Sequence, residues 1–431
     1  MRSNLKTTIT TPVRDYLSKL REFRPNARFY LINVIITGLS MGIFRLLLNF
    51  YVLSLGFNEA LLGRLITTSS LTSLIAALPV GYLADIIGRK RSLLLGGLLT
   101  ALSIGGMVIW PIVPVFYALN VVSGFAQSLW SITMSPFLME NSGEKERTYL
   151  FSFGLGLQTL SAFAGNWLGG YLPTWLGQWL TVSPTSSTAY GSSIAAVSLM
   201  FGVGLIPLLF LRRQQQEGDE RSVFAPIAYA MENPGLLGKL VGPMFVTSLG
   251  AGLVMPFMNV FYRNVHGQSD QVIGTLFAWG SLAMGLGLLI APALADRMGK
   301  IQVVVITQGL SIPFLILLGF APVFWVSAAA YYARLALMNM SSPVYETFVM
   351  EHVEPSARAM VASLTSMAWS FGWAFSPSIS GALQVRFGFS LPFMGTISMY
   401  ILAISLYWLF FWKGRVPRYQ DPEPGPLVDP K

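Results

Sequence analysis

Two arginines stand inside long apolar stretches, where a charge is costly and therefore informative. Arg45 lies 16 residues into the stretch 29–55 and 10 from its far end, about 15 Å at the rise of a helix and further than a side chain comfortably snorkels. Arg334 lies 11 residues into 322–350, near its middle. Placing an arginine at such depth costs at least roughly 2.5–3.5 kcal/mol, so each is read as a functional group facing a watery cavity or a partner. No acid lies at matching depth: Glu346 is 12 residues from Arg334 and Glu59 falls in a loop. A guanidinium offers paired planar donors that suit a carboxylate or phosphate, and two of them on one wall predict an anionic ligand. The competing reading, in which each arginine holds a helix carbonyl and only fixes packing, stays open.

Polar neighbours extend this constellation. Asn49 is one turn from Arg45, Asn120 and Gln127 share a helix face at a spacing of seven, Asn259 sits in another apolar stretch, and Asn339, Ser342 and Tyr345 follow Arg334. Met338, with Met255, Met258, Trp130, Trp369 and Trp373, would make the walls adaptable. The candidate ligand-binding residues are therefore Arg45, Asn49, Asn120, Gln127, Asn259, Arg334, Met338 and Tyr345. Each amide or hydroxyl taken alone also fits a bond between helices. Glu346, about one turn inside the end of its stretch, is the candidate coupling acid, with a salt bridge at a gate as its other role. The chain has no Cys and only His266 and His352, so no disulfide, thiolate metal site or cofactor is expected.

The elements that must position these residues follow from composition. Charged residues make up 11% of the 431, against roughly 25% in soluble domains, while 53% are hydrophobic. A water-facing surface cannot be built from this, and a lipid bilayer is the expected surrounding. Stretches long enough to cross roughly 30 Å of hydrocarbon fall at 29–55, 60–83, 91–112, 114–139, 147–176 and 189–211, then at 239–263, 271–294, 301–319, 322–350, 357–385 and 390–412. The basic excess of 28 Lys and Arg over 19 acids does not point to nucleic acid, because the basic residues sit in the short gaps. With the N-terminus inside, 23 of the 28 lie in tails and loops on that side, Arg64, Arg263 and Arg386 lie opposite, and Arg45 and Arg334 lie within spans. That asymmetry predicts both termini cytoplasmic. No cleavable signal peptide is visible in the first 28 residues, which carry seven basic residues; Thr11, Pro12, Val13, Tyr16, Leu17, Leu20 and Phe23 read instead as a capped amphipathic helix on anionic headgroups.

The chain repeats itself at a spacing of 211. Gly63 and Gly81 through Leu83-Ala84-Asp85-Ile86-Ile87-Gly88-Arg89 return as Gly274 and Ala293 through Leu294-Ala295-Asp296-Arg297-Met298-Gly299-Lys300. Glu140 matches Glu351, Arg147 matches Arg358, Gly170 matches Gly381, and Asn49 matches Asn259 at 210. Six spans per copy bring both halves in from the same side, a parallel repeat about an axis along the membrane normal. The expected organisation is a basic segment at 1–28, a six-helix half at 29–211, a polar linker at 212–238, a second half at 239–412 and a tail at 413–431.

The run Gly81-x-Leu83-Ala84-Asp85-x-x-Gly88-Arg89-Lys90 resembles the loop 2–3 signature of the major facilitator superfamily, and the degenerate copy at 293–300 sits where that family carries its second one. The resemblance covers residues 27–413. It implies an all-α membrane protein of twelve transmembrane helices that works as a rocker switch, with a central cavity lined mainly by helices 1, 4, 7 and 10. It implies that Asp85 and Asp296 belong to gates, with Gly81, Gly88, Arg89, Glu140, Arg147, Gly299, Glu351 and Arg358 around them. Arg89 is expected to pair with Glu140, and Lys300 with Glu351. Gly165-Asn166-Trp167-Leu168-Gly169-Gly170 is similar to the Gly-Pro-x-x-Gly-Gly signature of drug antiporters, with Asn166 in place of its proline.

These features predict a carrier that moves a small organic, anionic solute across the plasma membrane by alternating access, as a monomer and with a coupling ion. A polyspecific efflux pump for lipophilic compounds is the second reading, favoured by the aromatic residues and disfavoured by the arginines. A non-transporting receptor would need a soluble signalling domain, for which neither linker nor tail is large enough. No nucleophile, metal cluster or phosphate loop suggests an enzyme.

Overall fold

The computed structural model describes residues 23–212, 234–354 and 357–413. The predicted N-terminal amphipathic helix, most of the linker and nearly all of the C-terminal tail lie outside these residues. The first half holds α1 (Pro25–Ser54), α2 (Glu59–Ile87), α3 (Arg89–Ile109), α4 (Val113–Glu140), α5 (Glu144–Trp179) and α6 (Ser187–Leu209). The second holds α7 (Pro234–Val254), a 3-10 turn at Met255–Phe257, α8 (Met258–Asn264), α9 (Asp270–Met298), α10 (Lys300–Phe320), α11 (Phe324–Glu351), α12 (Arg358–Phe387) and α13 (Ser390–Tyr407), which runs on as a π turn to Lys413. α7 and α8 together form the seventh span, so the fold is two bundles of six.

Helix ends are set by local chemistry that repeats between the halves. Asn58 caps α2 by accepting from the Leu61 N–H, and Ser269, at the equivalent position, caps α9 by accepting from Val272. The turns from α2 to α3 and from α9 to α10 are made at Gly88 and Gly299, with φ of +82° and +92°, a backbone region that side-chain-bearing residues avoid. Among the described residues nine spans are long and apolar enough to cross a membrane on composition. The other three, α5, α11 and α12, carry more polar groups, and α5 and α12 are the ones that meet the opposite half.

Packing inside each half follows the repeat: α1 lies on α5 and α6 as α7 lies on α12 and α13, and α2 lies on α4 as α9 lies on α11. The halves meet along two seams, α2 with α12 and α5 with α9. At the end carrying residues 24, 89, 140, 212, 300 and 351, hereafter the terminal end, each half has its own apolar cluster. One is built on Tyr30, Phe137 and Leu208, the other on Leu240, Val349 and Phe411. At the opposite end a single cluster runs through both halves, joining Leu46, Phe50 and Tyr190 to Phe257, Leu276 and Phe393. The halves are thus fused at one end and separate at the other.

Candidate functional site

Four glycines close the fused end. A Cβ on Gly63 of α2 would lie 2.2 Å from the Pro377 carbonyl oxygen of α12, and one on Gly381 of α12 would lie 2.2 Å from that of Glu59. Across the second seam a Cβ on Gly274 of α9 would lie 2.6 Å from the Asn166 carbonyl oxygen, and one on Gly170 of α5 would lie 2.7 Å from that of Asp270. Every glycine and every carbonyl in this set maps onto another at the 211 spacing. No side chain separates the helices, so the seams close backbone on backbone, which is how small residues serve helix packing in membranes. Towards the terminal end the seams part: Gly285 has only the Thr159 methyl within reach at 3.9 Å, and nothing stands within 4 Å of a Cβ on Gly81, Gly154 or Gly156. Tyr82, Leu155 and Leu289 are exposed there.

Asn49 and Asn259 meet between the halves at the fused end. Asn49 Nδ2 donates to Asn259 Oδ1 and to the Pro256 carbonyl, each at 2.8 Å, and Asn259 Nδ2 donates to the Leu46 carbonyl at 2.8 Å. Both are buried, at 4% and 2% exposure. Pro256 has no N–H, and the helix breaks around it into a 3-10 turn; the Asn49 amide serves a carbonyl of that turn. These two asparagines are committed to each other across the halves rather than presented to a ligand.

The structure separates the two arginines that the sequence put on one wall. Arg45 is exposed on α1, nine residues short of the end of the helix at Ser54. Among the described residues no hydrogen bond or ion pair reaches it. Arg334 is 2% exposed. It donates from Nη2 to the Tyr400 hydroxyl at 2.9 Å and from Nη1 to the Met255 sulfur at 3.3 Å, while its Nε is buried without a partner among the described residues. It holds α11 to α13 and to the break between α7 and α8. Tyr345 also leaves the wall, because its hydroxyl donates to the Leu240 carbonyl at 2.5 Å and its ring packs on Tyr407 and Phe348. Asn120 is buried and donates back to the Phe116 carbonyl of its own helix at 2.8 Å. Gln127 is exposed and Met338, its equivalent 211 residues on, is half-buried. Glu346 is exposed, with no ion pair among the described residues.

At the terminal end Arg89 bridges two acids, Asp85 Oδ1 at 2.8 Å and Glu140 Oε1 at 3.2 Å. Lys300 pairs with Glu351 in the second half. All three pairs stay within a half. Lys90 donates to the carbonyls of Leu209 and Leu211 at 2.5 and 2.7 Å, closing the end of α6 where helix carbonyls lack partners. Arg358 donates to the Met350 carbonyl at 3.0 Å. Asp296 is exposed, and the side chain of Arg147 lies outside the described set. Gly81, expected to admit a close helix, has open space beside it, because the halves stand apart at this end.

Sequence reasoning passed over a group at the fused end: Tyr190 of α6, Arg263 of α8 and Asp270 of α9 bond to one another across the seam. Beside them His266 packs on Phe261, Tyr262 and Phe324, and burial pushes the pKa of its imidazole below the ordinary histidine value. The only sequence signal for the group was an arginine on the side of the membrane that basic residues otherwise avoid.

A family model described as Major Facilitator Superfamily matches residues 30–242 and again 240–428. The multidrug resistance protein MdtG of Dickeya zeae is 24% identical over 387 residues, covering 86% of this chain and 91% of that protein. An uncharacterised MFS-type transporter, YcaD of Shigella flexneri, is 25% identical over 342 residues, covering 78% and 82%. Among solved structures, the nucleoside transporter NupG superposes with a TM-score of 0.71 at 14% identity, covering 91% of this chain and 99% of that one. A bacterial homolog of the lysosomal transporter Spinster, in an inward-facing and unoccupied conformation, gives 0.72 at 14%, covering 92% and 98%. With its two matched halves, its twelve spans and its paired seams, this chain is a membrane transporter belonging to the Major Facilitator Superfamily.

Proposed function

We propose that the chain carries a small organic solute with an anionic group by alternating access, and that Arg45 is the residue that receives the charge. The observation that carries this reading is an exposed arginine inside the span of α1, without a hydrogen-bond or ion-pair partner among the described residues. Such a group is stable at that depth if water or an anion completes it, and a carboxylate or phosphate can take two of its N–H donors at once. The fused end and the parted terminal end support a site reached from the terminal end. The gathering of Lys and Arg at that end supports its facing the cytoplasm of a cell whose plasma membrane holds the protein. Glu346, exposed on α11, serves as the proton-accepting group of a coupled cycle.

The test is uptake or counterflow in liposomes with a panel of anionic, neutral and cationic solutes, with and without a pH gradient. An anion is expected to move saturably, and Arg45→Gln to raise its KM at least tenfold, while Glu346→Gln abolishes the response to the gradient. Transport of anions by Arg45→Gln at parental KM would refute the assignment. Export of lipophilic compounds is the second reading, favoured by the exposed Trp369 ring on α12 and by the MdtG relative's name. Movement of cationic dyes in place of anions would select it.

A further inference from the structure

The glycine seams obey the repeat, but the polar group at the fused end does not. Arg263 and Asp270 pair within the C-terminal half. The N-terminal half supplies the Tyr190 hydroxyl, which accepts from Arg263 Nη2 at 2.6 Å and donates to Asp270 Oδ2 at 2.6 Å. It also supplies Phe50, whose ring centroid lies 3.4 Å from Arg263 Cζ. At the 211 spacing, the counterparts of Tyr190, Arg263 and Asp270 are Ile401, Val52 and Glu59. At these equivalent positions the second seam therefore has an acid but neither phenol nor cation, and Glu59 receives the Asn264 amide of the other half at 3.1 Å.

We propose that Tyr190, Phe50, Arg263 and Asp270 form a one-sided clasp that sets how readily the end opposite the termini opens during transport. The division of parts matters. Because cation and anion belong to the same half, parting the halves removes a hydroxyl and a ring from the pair but strands no charge. An ion pair split between the halves would leave each charge alone in an apolar seam, which is far more costly. A cavity of about 330 Å³ over the clasp, lined by Thr174 and Thr185 from one half and by Gln268 and Gln271 from the other, lets water take the place of the departing hydroxyl. Tyr190 and Phe50 are thus positioning residues for the cycle, and they hold one edge of the seal, while at the other edge the Asn264 amide on Glu59 lies beside the backbone contacts.

This rests on the alternating-access reading, and one measurement separates the two. The chain has no Cys, so Ile112→Cys and Val323→Cys, at equivalent exposed loops of the fused end, can carry spin labels without other changes. Their distance distribution in lipid nanodiscs is measured for the parent pair, for added Tyr190→Phe and Asp270→Asn, for Glu59→Gln, and for Gly170→Leu, which forces the seam apart. A longer-distance population is expected to grow several-fold with Tyr190→Phe and with Gly170→Leu, and to stay at the parental level with Glu59→Gln. If Gly170→Leu lengthens the distance and Tyr190→Phe does not, the clasp is wrong and alternating access stands. If neither moves it, both fail. An effect of Glu59→Gln equal to that of Tyr190→Phe would overturn the one-sidedness. Tyr190→Phe keeps the ring and its packing, so it remains informative where Asp270→Asn does not fold.

Discussion

A single side chain's bonding decides which of the intramembrane polar groups can meet a ligand. Asn49, Asn259, Asn120, Tyr345 and Arg334 all have protein partners in this structure, whereas Arg45 has none among the described residues. Arg334→Met is therefore expected to leave the KM for a transported anion within about twofold of the parent, in the same liposomes where Arg45→Gln raises it. An equal loss in both variants would return Arg334 to the site. Asn259→Ala removes the amide pair that joins the halves. Polar bonds between membrane helices average about 0.6 kcal/mol and reach about 1.7, so a loss of about 1 kcal/mol shifts the closed-to-open ratio roughly fivefold, which the spin-label distances would show. The sequence revealed these residues as polar and deep but not which way they face. α11 carries polar groups all round, with Arg334 and Tyr345 turned into its own half and Glu346 turned away, so periodicity alone could not sort them.

At the scale of elements, close approach falls on particular glycines. Gly63, Gly170, Gly274 and Gly381 have no room for a Cβ, while Gly81 has open space in this state. Gly81→Ala is expected to insert and fold with thermal stability in detergent within about 2 °C of the parent, whereas Gly381→Leu should destabilise the fused form and lengthen the spin-label distance. A melting point for Gly81→Ala well below the parent's would mean that the two halves press together at the terminal end in the resting protein. The repeat made the positions of these glycines legible, because Gly63 with Gly274 and Gly170 with Gly381 recur at 211. Their contacts were not, since a spacing does not say which helix lies opposite. The break at Met255–Phe257 was equally hidden. Pro136, Pro207, Pro313 and Pro343 sit inside unbroken helices, whereas the carbonyl of Pro256, within the break, is bonded by Asn49 of the other half.

For the whole molecule, the architecture was nearly all readable. Each span begins and ends within about five residues of the stretch expected from hydropathy, because a bilayer demands long apolar runs and helices that satisfy their own backbone. Orientation is tested by single cysteines in the naturally cysteine-free chain. Arg91→Cys at the terminal end is expected to resist an impermeant maleimide added to intact cells, and Val323→Cys at the fused end to react. The opposite pattern would invert the topology and place the opening on the outside.

The backbone-on-backbone seams carry an entropic consequence. Ordering a long side chain on closure costs up to roughly 2 kcal/mol of conformational entropy, but glycine has no rotamers to lose. A lock of interdigitated leucines would have to comb its side chains into register at each closure. In the proposed cycle, four glycines against four carbonyls need only the helices to arrive, so the side chains that must be ordered at each closure are confined to the clasp and the apolar cluster between the seams.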